Sequence, residues 1–293
     1  MLDAKVLESY RTAGEIAAEI RKEAEKIVRK GVPLQKICET LERKILKEGG
    51  KPAFPVNVSL NDIAAHYTSP PDDRTTVPPK ALVKVDIGVQ INGFIADTAL
   101  TISVGKVGRG LIEAAESALE NALKIVKAGV RSSEIGEVIE KTIRESGFRP
   151  ISNLTGHLLG QYNLHAGKSI PNVKTRLGFT LKEGEVYAIE PFATTGEGIV
   201  DDSKYAYIYR LTSQKQSDQF LSYITREFKT LPFTSRWLIH KFSKKRVQEL
   251  IKRYINGGLI QPYPVLIERK RGVVSQAEHT LIVKKNGCEV TSA

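Results

Sequence analysis

Val85-Asp86-Ile87-Gly88-Val89-Gln90-Ile91-Asn92-Gly93-Phe94-Ile95-Ala96-Asp97 reads as two alternating strands joined by Asn92-Gly93, the favoured pair for a two-residue hairpin turn. With those two residues as the loop, Ile91 faces Phe94, Gly88 faces Asp97 and Asp86 faces Ala99. Asp86 and Gly88 lie two apart and share a face. Both carboxylates then point the same way as diagonal neighbours, and Gly88 and Ala99 leave that face uncrowded. Two like charges on one strand pair are costly unless a cation sits between them. The hairpin therefore predicts a metal site from local geometry, against the alternative of turn-flanking solvent acids.

The rest of the chain fits around this hairpin. Residues Ala4 to Lys30 and Leu34 to Lys47 carry helical periodicity and are separated by Gly31-Val32-Pro33. Ala53 to Leu60 looks extended. Arg109 to Lys127 and Ser132 to Ser146 read as two more helices, and Val186 to Phe192 as a strand. Ser217 to Phe228, Phe233 to Phe242 and Lys244 to Ile255 read as a helical block. Strands return at Val265 to Glu268, Val273 to Thr280 and Thr280 to Val283, before an exposed end at Lys284 to Gly287. Two helix–helix–strand halves hint at a duplication, without a residue-level repeat.

The 293 residues are 41% apolar and 26% charged, an ordinary globular balance. The N-terminus lacks the apolar core of a secretory signal, and no apolar run is long enough to span a membrane. The two cysteines, Cys38 and Cys288, stand outside any CxxC pattern, which argues for a reducing cytoplasm and against a thiolate zinc site. Net charge is +11. Twelve Lys and Arg against four acids between Leu211 and Lys270 supply +8 of it. That block interrupts the second strand set and reads as an inserted subdomain, 211–270, within a body formed by 1–210 and 271–293.

Five further positions call for weighing. His157 lies in an apolar segment, where a lone histidine is more often a satisfied core residue than a ligand. Glu190 closes the apolar run Val186-Tyr187-Ala188-Ile189, where a carboxylate needs a partner or a metal. Glu278 and His279 sit in a strand, and alternation sends them to opposite faces, so His279 is structural or outward. His240, in the basic block, is a solvated side chain. Asp86, Asp97, His157, Glu190 and Glu278 together form an oxygen-rich, hard set that suits two divalent ions such as Mn, Fe or Co.

The order Asp86, Asp97, His157, Glu190, Glu278, with Phe54-Pro55, Ala64-Ala65-His66-Tyr67 and His165-Ala166-Gly167 between, resembles the methionine aminopeptidases. The helical block before the last glutamate resembles that of the type II subfamily in its short, archaeal-like form. The resemblance implies an α/β (α+β) pita-bread fold of pseudo-twofold symmetry, helices on one face, with a winged-helix-like insert. It implies two divalent metal ions (Co, Mn, Fe or Zn, the identity left open). Asp86 would hold one, Asp97 and Glu278 would bridge both, and His157 and Glu190 would hold the other. It implies removal of the initiator methionine from nascent chains whose second residue is small. Glu190 would be the proton shuttle, His165 and His66 substrate contacts, and Phe54 and Leu164 walls of the methionine pocket. It also implies that Met1, followed here by Leu2, is retained.

Two rivals stand beside this reading: an X-Pro dipeptidase or aminopeptidase P of the same fold, and a non-enzymatic ribosome- or nucleic-acid-binding relative. The basic block has two readings as well, a solvated helix face or weak, salt-sensitive ribosome association. No membrane partner is expected, and the chain is expected to be a cytoplasmic monomer.

Overall fold

The computed structural model describes residues 2–213 and 218–293. The expected helix start at Ser217, the charge on Lys215 and the retention of Met1 lie outside the described residues.

The chain opens with α1 (Ala4–Ile27) and α2 (Leu34–Lys47). Asp3 caps α1 by accepting the Lys5 N–H at 2.9 Å. Ala13, Ala17, Ile20 and Ala24 repeat at helical spacing and are buried. The helix stops three residues short of Lys30, because Val28 turns extended and Gly31 takes a φ of 80°. After β1 (Lys51–Pro52), β2 (Asn57–Leu60) and β3 (Ile63–Ala65) comes the hairpin of β4 (Ala81–Ile91) and β5 (Phe94–Val104). Its register is the one the sequence predicts: Ile91 faces Phe94, Gly88 faces Asp97 and Asp86 faces Ala99. Asn92 and Gly93 both have positive φ, 53° and 86°, as a twist-matched two-residue turn demands. β1 and β2 pair along the other edge of β4.

The second half repeats the plan with α3 (Arg109–Ile125) and α4 (Ser132–Glu145), then β6 (Arg149–Pro150), β7 (Thr155–Leu158), β8 (Ser169–Pro171), β9 (Val186–Ile189) and β10 (Phe192–Thr194). The stretch expected as one strand from Val186 to Phe192 is thus two strands in two sheets, broken where Pro191 offers no N–H to a ladder. β11 (Val200–Leu211) was not anticipated. Asp201, Asp202, Ser203 and Lys204 in its first half give no apolar alternation, because that part of the strand is mostly exposed.

Next come α5 (Gln219–Phe228), β12 (Phe233–Thr234), a single 3-10 turn at Ser235–Trp237 and α6 (Lys244–Asn256). The helix expected from Phe233 to Phe242 does not form: Phe233 and Thr234 pair with Tyr209 and Ile208 of β11 instead. The chain ends with β13 (Ile260–Glu268), β14 (Val274–Gln276), β15 (His279–Lys284) and β16 (Gly287–Val290). Lys284 to Gly287, expected as an exposed end, is a hairpin turn in which Lys284 pairs with Gly287.

The strands form four sheets. β1, β2, β4 and β5 make the first, β14-β10-β6 the second, β12-β11-β13-β3 the third and β16-β15-β9-β7-β8 the fourth. Helices α1 and α2 bury one core against Val83, Val85, Ile87 and Val89 of β4. Helices α3 and α4 bury another against Tyr187, Ile189, Leu281 and Val283 of β9 and β15. Both pairs thereby cover the same face, the pita-bread arrangement, and the opposite face of the strands is left for chemistry. A separate apolar cluster joins α5, α6 and the strand ends beside them through Phe220, Leu221, Ile224, Phe233, Leu238, Val247, Ile251 and Ile260.

Candidate metal centre

The two halves meet where β5 passes the break between β14 and β15. A single antiparallel bridge joins Ala99 to Glu278, with Glu278 N–H donating to the Ala99 carbonyl at 3.1 Å. Threonines complete the seam. The Thr280 hydroxyl donates to the Asp97 carbonyl at 2.8 Å and lies 2.7 Å from the Asp97 N–H. The Thr98 hydroxyl donates to the Glu278 carbonyl at 2.7 Å.

This bridge puts the first and fourth sheets into one continuous register. Asp86 faces Ala99, and Ala99 faces Glu278. Two residues along, Gly88 faces Asp97, Asp97 lies beside Thr280, Thr280 faces Ala188 and Ala188 faces His157. Directly opposed residues in antiparallel strands share a face, as do residues two apart on one strand. Asp86, Asp97, Glu278, Glu190 and His157 therefore all project from one side, although they come from five separate stretches: β4, β5 and β7, the residue after β9 and the residue before β15. Gly156 permits the last step, since a Cβ there would lie 2.4 Å from the Ala188 carbonyl oxygen of β9.

Ligand atoms of Asp97, His157 and Glu278 lie within 4.8 Å of one another. His157 Nε2 is 3.6 Å from both Asp97 Oδ2 and Glu190 Oε1. Asp97, His157 and Glu278 are buried, and one oxygen each of Asp86 and Asp97 has no hydrogen-bond partner. Burial raises the Asp86 carboxyl to about 7, against hydrogen bonds from Asp97 and Gln276. Burial raises Asp97, and the charges of Asp86 and Glu190 push it further. Glu278 is raised by burial and by all three other acids, and Glu190 by burial and Asp86. Four acids whose pKa values burial and mutual repulsion push upward, with orphaned oxygens and an imidazole nitrogen turned toward them, are the donor set of a hard divalent cation. The residues fit such an ion.

All nine expected site residues line one cavity of about 60 Å³. Phe54 fills the space that Gly88 was expected to leave open: a Cβ on Gly88 would lie 2.3 Å from its ring. The glycine admits a wall of the pocket, so that face is packed. His66 takes a φ of 64°, a conformation bulky residues rarely adopt. Its Nδ1 donates to the Pro264 carbonyl at 3.2 Å, which assigns the unprotonated nitrogen to Nε2. Its ring meets Tyr263 edge-on at 5.4 Å. His165 is open at the mouth, 4.4 Å from the His157 ring and stacked 6.3 Å from Tyr263. Surrounding protein lowers the pKa of His66 and His165, with His66 and Arg210 adding to the effect on His165, so both are neutral near pH 7. His279 stays out of the cavity, its Nδ1 3.1 Å from the Ser292 hydroxyl. His240 is exposed.

Asn57, Ala65, Ile208, Pro232 and Tyr263 also line the cavity and escaped the sequence reading. Asn57 had a readable signal: it faces Asp86 across β2 and β4. Gln276, with its amide 3.4 Å from Glu278 Oε2, sits two residues before Glu278 on the same face. The others lie in the third sheet and its connections, which rest on the missed strand β11.

A larger cavity, about 430 Å³, separates α2 from α5 and the 3-10 turn. Its charged floor is the buried Glu42–Arg236 pair, bound through two contacts of 2.6 and 2.8 Å. Those charges satisfy each other, so the reactive chemistry belongs to the smaller cavity.

Metallopeptidase family M24 matches residues 8–283 of the chain. A methionine aminopeptidase of Methanothermobacter thermautotrophicus is 45% identical over 294 residues, covering 98% of both chains. Among solved structures, a thermophilic Arx1 superposes with a TM-score of 0.87 at 21% identity, covering 99% of this chain and 91% of its own. The methionine aminopeptidase of Thermotoga maritima superposes with a TM-score of 0.74 at 21% identity, covering 99% and 98%. The last two show likeness of fold alone.

Proposed function

The chain belongs to metallopeptidase family M24, and from that premise we propose that it is a methionine aminopeptidase acting on nascent chains with a small second residue. The observation that carries the reading is the register across the seam, which gathers four carboxylates and His157 on one face.

Asp86 would hold one divalent ion, Asp97 and Glu278 would be shared by two, and His157 and Glu190 would complete the second site. When bound, the ions supply Lewis-acid activation of water and of the scissile carbonyl. The chain's own groups do the rest. Glu190, at the edge of β9 and open to the cavity, takes the proton of the attacking water and delivers it to the leaving amine. His165 at the mouth hydrogen-bonds the scissile amide. His66, with Nδ1 held by Pro264, offers Nε2 as acceptor to the leaving N–H. Phe54 and Leu164 form the apolar wall for the methionine side chain and keep water from it. Metal content and turnover of a Met-Ala-Ser peptide, measured together after chelation and add-back, test this. Loss and recovery in step support it, while turnover independent of metal refutes it. A panel of Met-Gly and X-Pro peptides separates it from the X-Pro enzymes of the same fold.

We take residues 211–270 as an inserted subdomain with its own apolar cluster and the body as 1–210 with 271–293. Part of the insert's charge is spoken for: Arg236 pairs with Glu42, Lys244 with Asp72 and Arg269 with Asp201. Lys245, Arg246 and Lys252 remain exposed on α6 and would give weak ribosome association. Co-sedimentation with ribosomes should fall at high salt and on reversing these three charges; insensitivity to both refutes it. The chain would work as a cytoplasmic monomer. No helix among the described residues is long and apolar enough to cross a membrane.

A further inference from the structure

Arg21 lies on the buried stripe of α1, four residues after Ala17 and three before Ala24, where helical spacing calls for an apolar side chain. It faces the back of the seam. One guanidinium nitrogen, Nη1, donates to the Ala99 carbonyl at 2.6 Å and the Thr98 hydroxyl at 2.8 Å, and reaches the Glu278 carbonyl at 3.4 Å. Ala99 and Glu278 are the two residues of the bridge between β5 and the β14–β15 break, and its return bond, from Ala99 N–H to the Glu278 carbonyl, is long at 3.4 Å. Arg21 thus supplies a donor to both carbonyls of the bridge.

The bridge also carries the line Asp86–Ala99–Glu278 across the molecule. A displacement there separates Glu278 from Asp86 and Asp97, and four clustered acids supply a force for such a displacement. A fixed positive charge behind the strands opposes that repulsion, and its hydrogen bonds hold the two halves in register. We propose that Arg21 is a positioning residue of the metal centre: it pre-sets the spacing of Glu278 to Asp86 and Asp97 from the opposite face, touching neither ion nor substrate. The inference rests on the metal-centre reading.

Titration calorimetry of Mn(II) into the chelator-stripped full chain tests it, with Arg21→Met, Arg21→Lys and, as a helix control, Lys22→Met. Lys22 is exposed and pairs on the surface with Glu19. Arg21→Met should weaken Mn(II) binding about tenfold or more, the order seen when outer partners of metal ligands are removed. Arg21→Lys, which keeps the charge and a donor, should recover most of it, and Lys22→Met should match the parent. KM for a Met-Ala-Ser peptide at saturating Mn(II) should stay within twofold in all three. Binding by folded Arg21→Met within twofold of the parent overturns the inference. If Arg21→Met does not fold, Arg21→Gln takes its place, and parent-like binding by that variant overturns it equally. Failure of the parent chain to bind Mn(II) would instead defeat the metal-centre reading itself.

Discussion

Buried acids occur in two settings in this molecule, and they differ in who answers the charge. Glu268 at the end of β13 accepts four backbone N–H groups, from Glu197, Gly198, Lys270 and Gly272. Burial alone would raise its pKa, yet those donors hold it below the ordinary glutamate value. Glu42 of α2 is met by the Arg236 guanidinium, by Trp237 Nε1 at 2.9 Å and by the Val56 N–H at 3.2 Å. Asp86, Asp97, Glu190 and Glu278 have far fewer donors, Gln276 among them, and crowd one another instead. A buried carboxylate with a full set of donors is architecture. Several that share an uncompensated charge mark a place built for something the chain does not encode.

The largest break of this contrast comes at the reacting group. Glu190→Gln should lower turnover of a Met-Ala-Ser peptide by about a thousandfold, the middle of the range for losing a proton carrier, with an unchanged circular dichroism spectrum. Near-parental turnover would remove Glu190 from its role. Arg236→Met strips the answer from an architectural acid instead. It should cost about 3–5 kcal/mol in denaturant unfolding, because it leaves Glu42 buried without a countercharge, held only by Trp237 and the Val56 N–H, while metal stoichiometry per folded chain stays put.

The two settings should also respond oppositely to pH. The site acids have folded-state pKa values raised above their unfolded ones. In the metal-free protein their contribution is complete below about pH 4 and is lost as pH climbs through the folded values, about 7 for Asp86. Melting temperature of the chelated protein should therefore drop between pH 5 and 8, and saturating metal should flatten the curve; equal slopes would break the comparison. Glu268, held low, contributes above its unfolded pKa and is lost as pH falls below it. Glu268→Gln should cost the least, about 1–3 kcal/mol for donors left short of an acceptor, and should blunt the acid limb of the loaded enzyme while leaving its neutral range alone.

Local signals in the sequence carried the hairpin well. Asn92 and Gly93 dictate the turn, and the turn dictates every pairing down to Asp86 with Ala99. The metal-binding family pattern extended that to His157, Glu190 and Glu278, which share no local context. What stayed hidden depends on long-range pairing. β11 is polar and mostly exposed along its first half, so Ile208 and, across from it, Tyr263 were invisible as cavity walls. Phe233 and Thr234 look helical in isolation and were drawn into a strand by β11. Arg21 did advertise itself as a cation on an apolar stripe, but its acceptors are the Thr98 hydroxyl and two backbone carbonyls 78 and 257 residues away, and carbonyls leave no trace in side-chain patterns.

The seam has one more implication, for the order of events in a cell. Asp86 and Asp97 leave the ribosome early, whereas Glu278 meets the hairpin through Thr98, 180 residues before it, and is synthesised well after the hairpin can close. The hairpin alone thus brings two of the five proposed ligands, and a chain cut short before Glu278 would keep four of them but lack one of the two acids proposed to be shared by both ions.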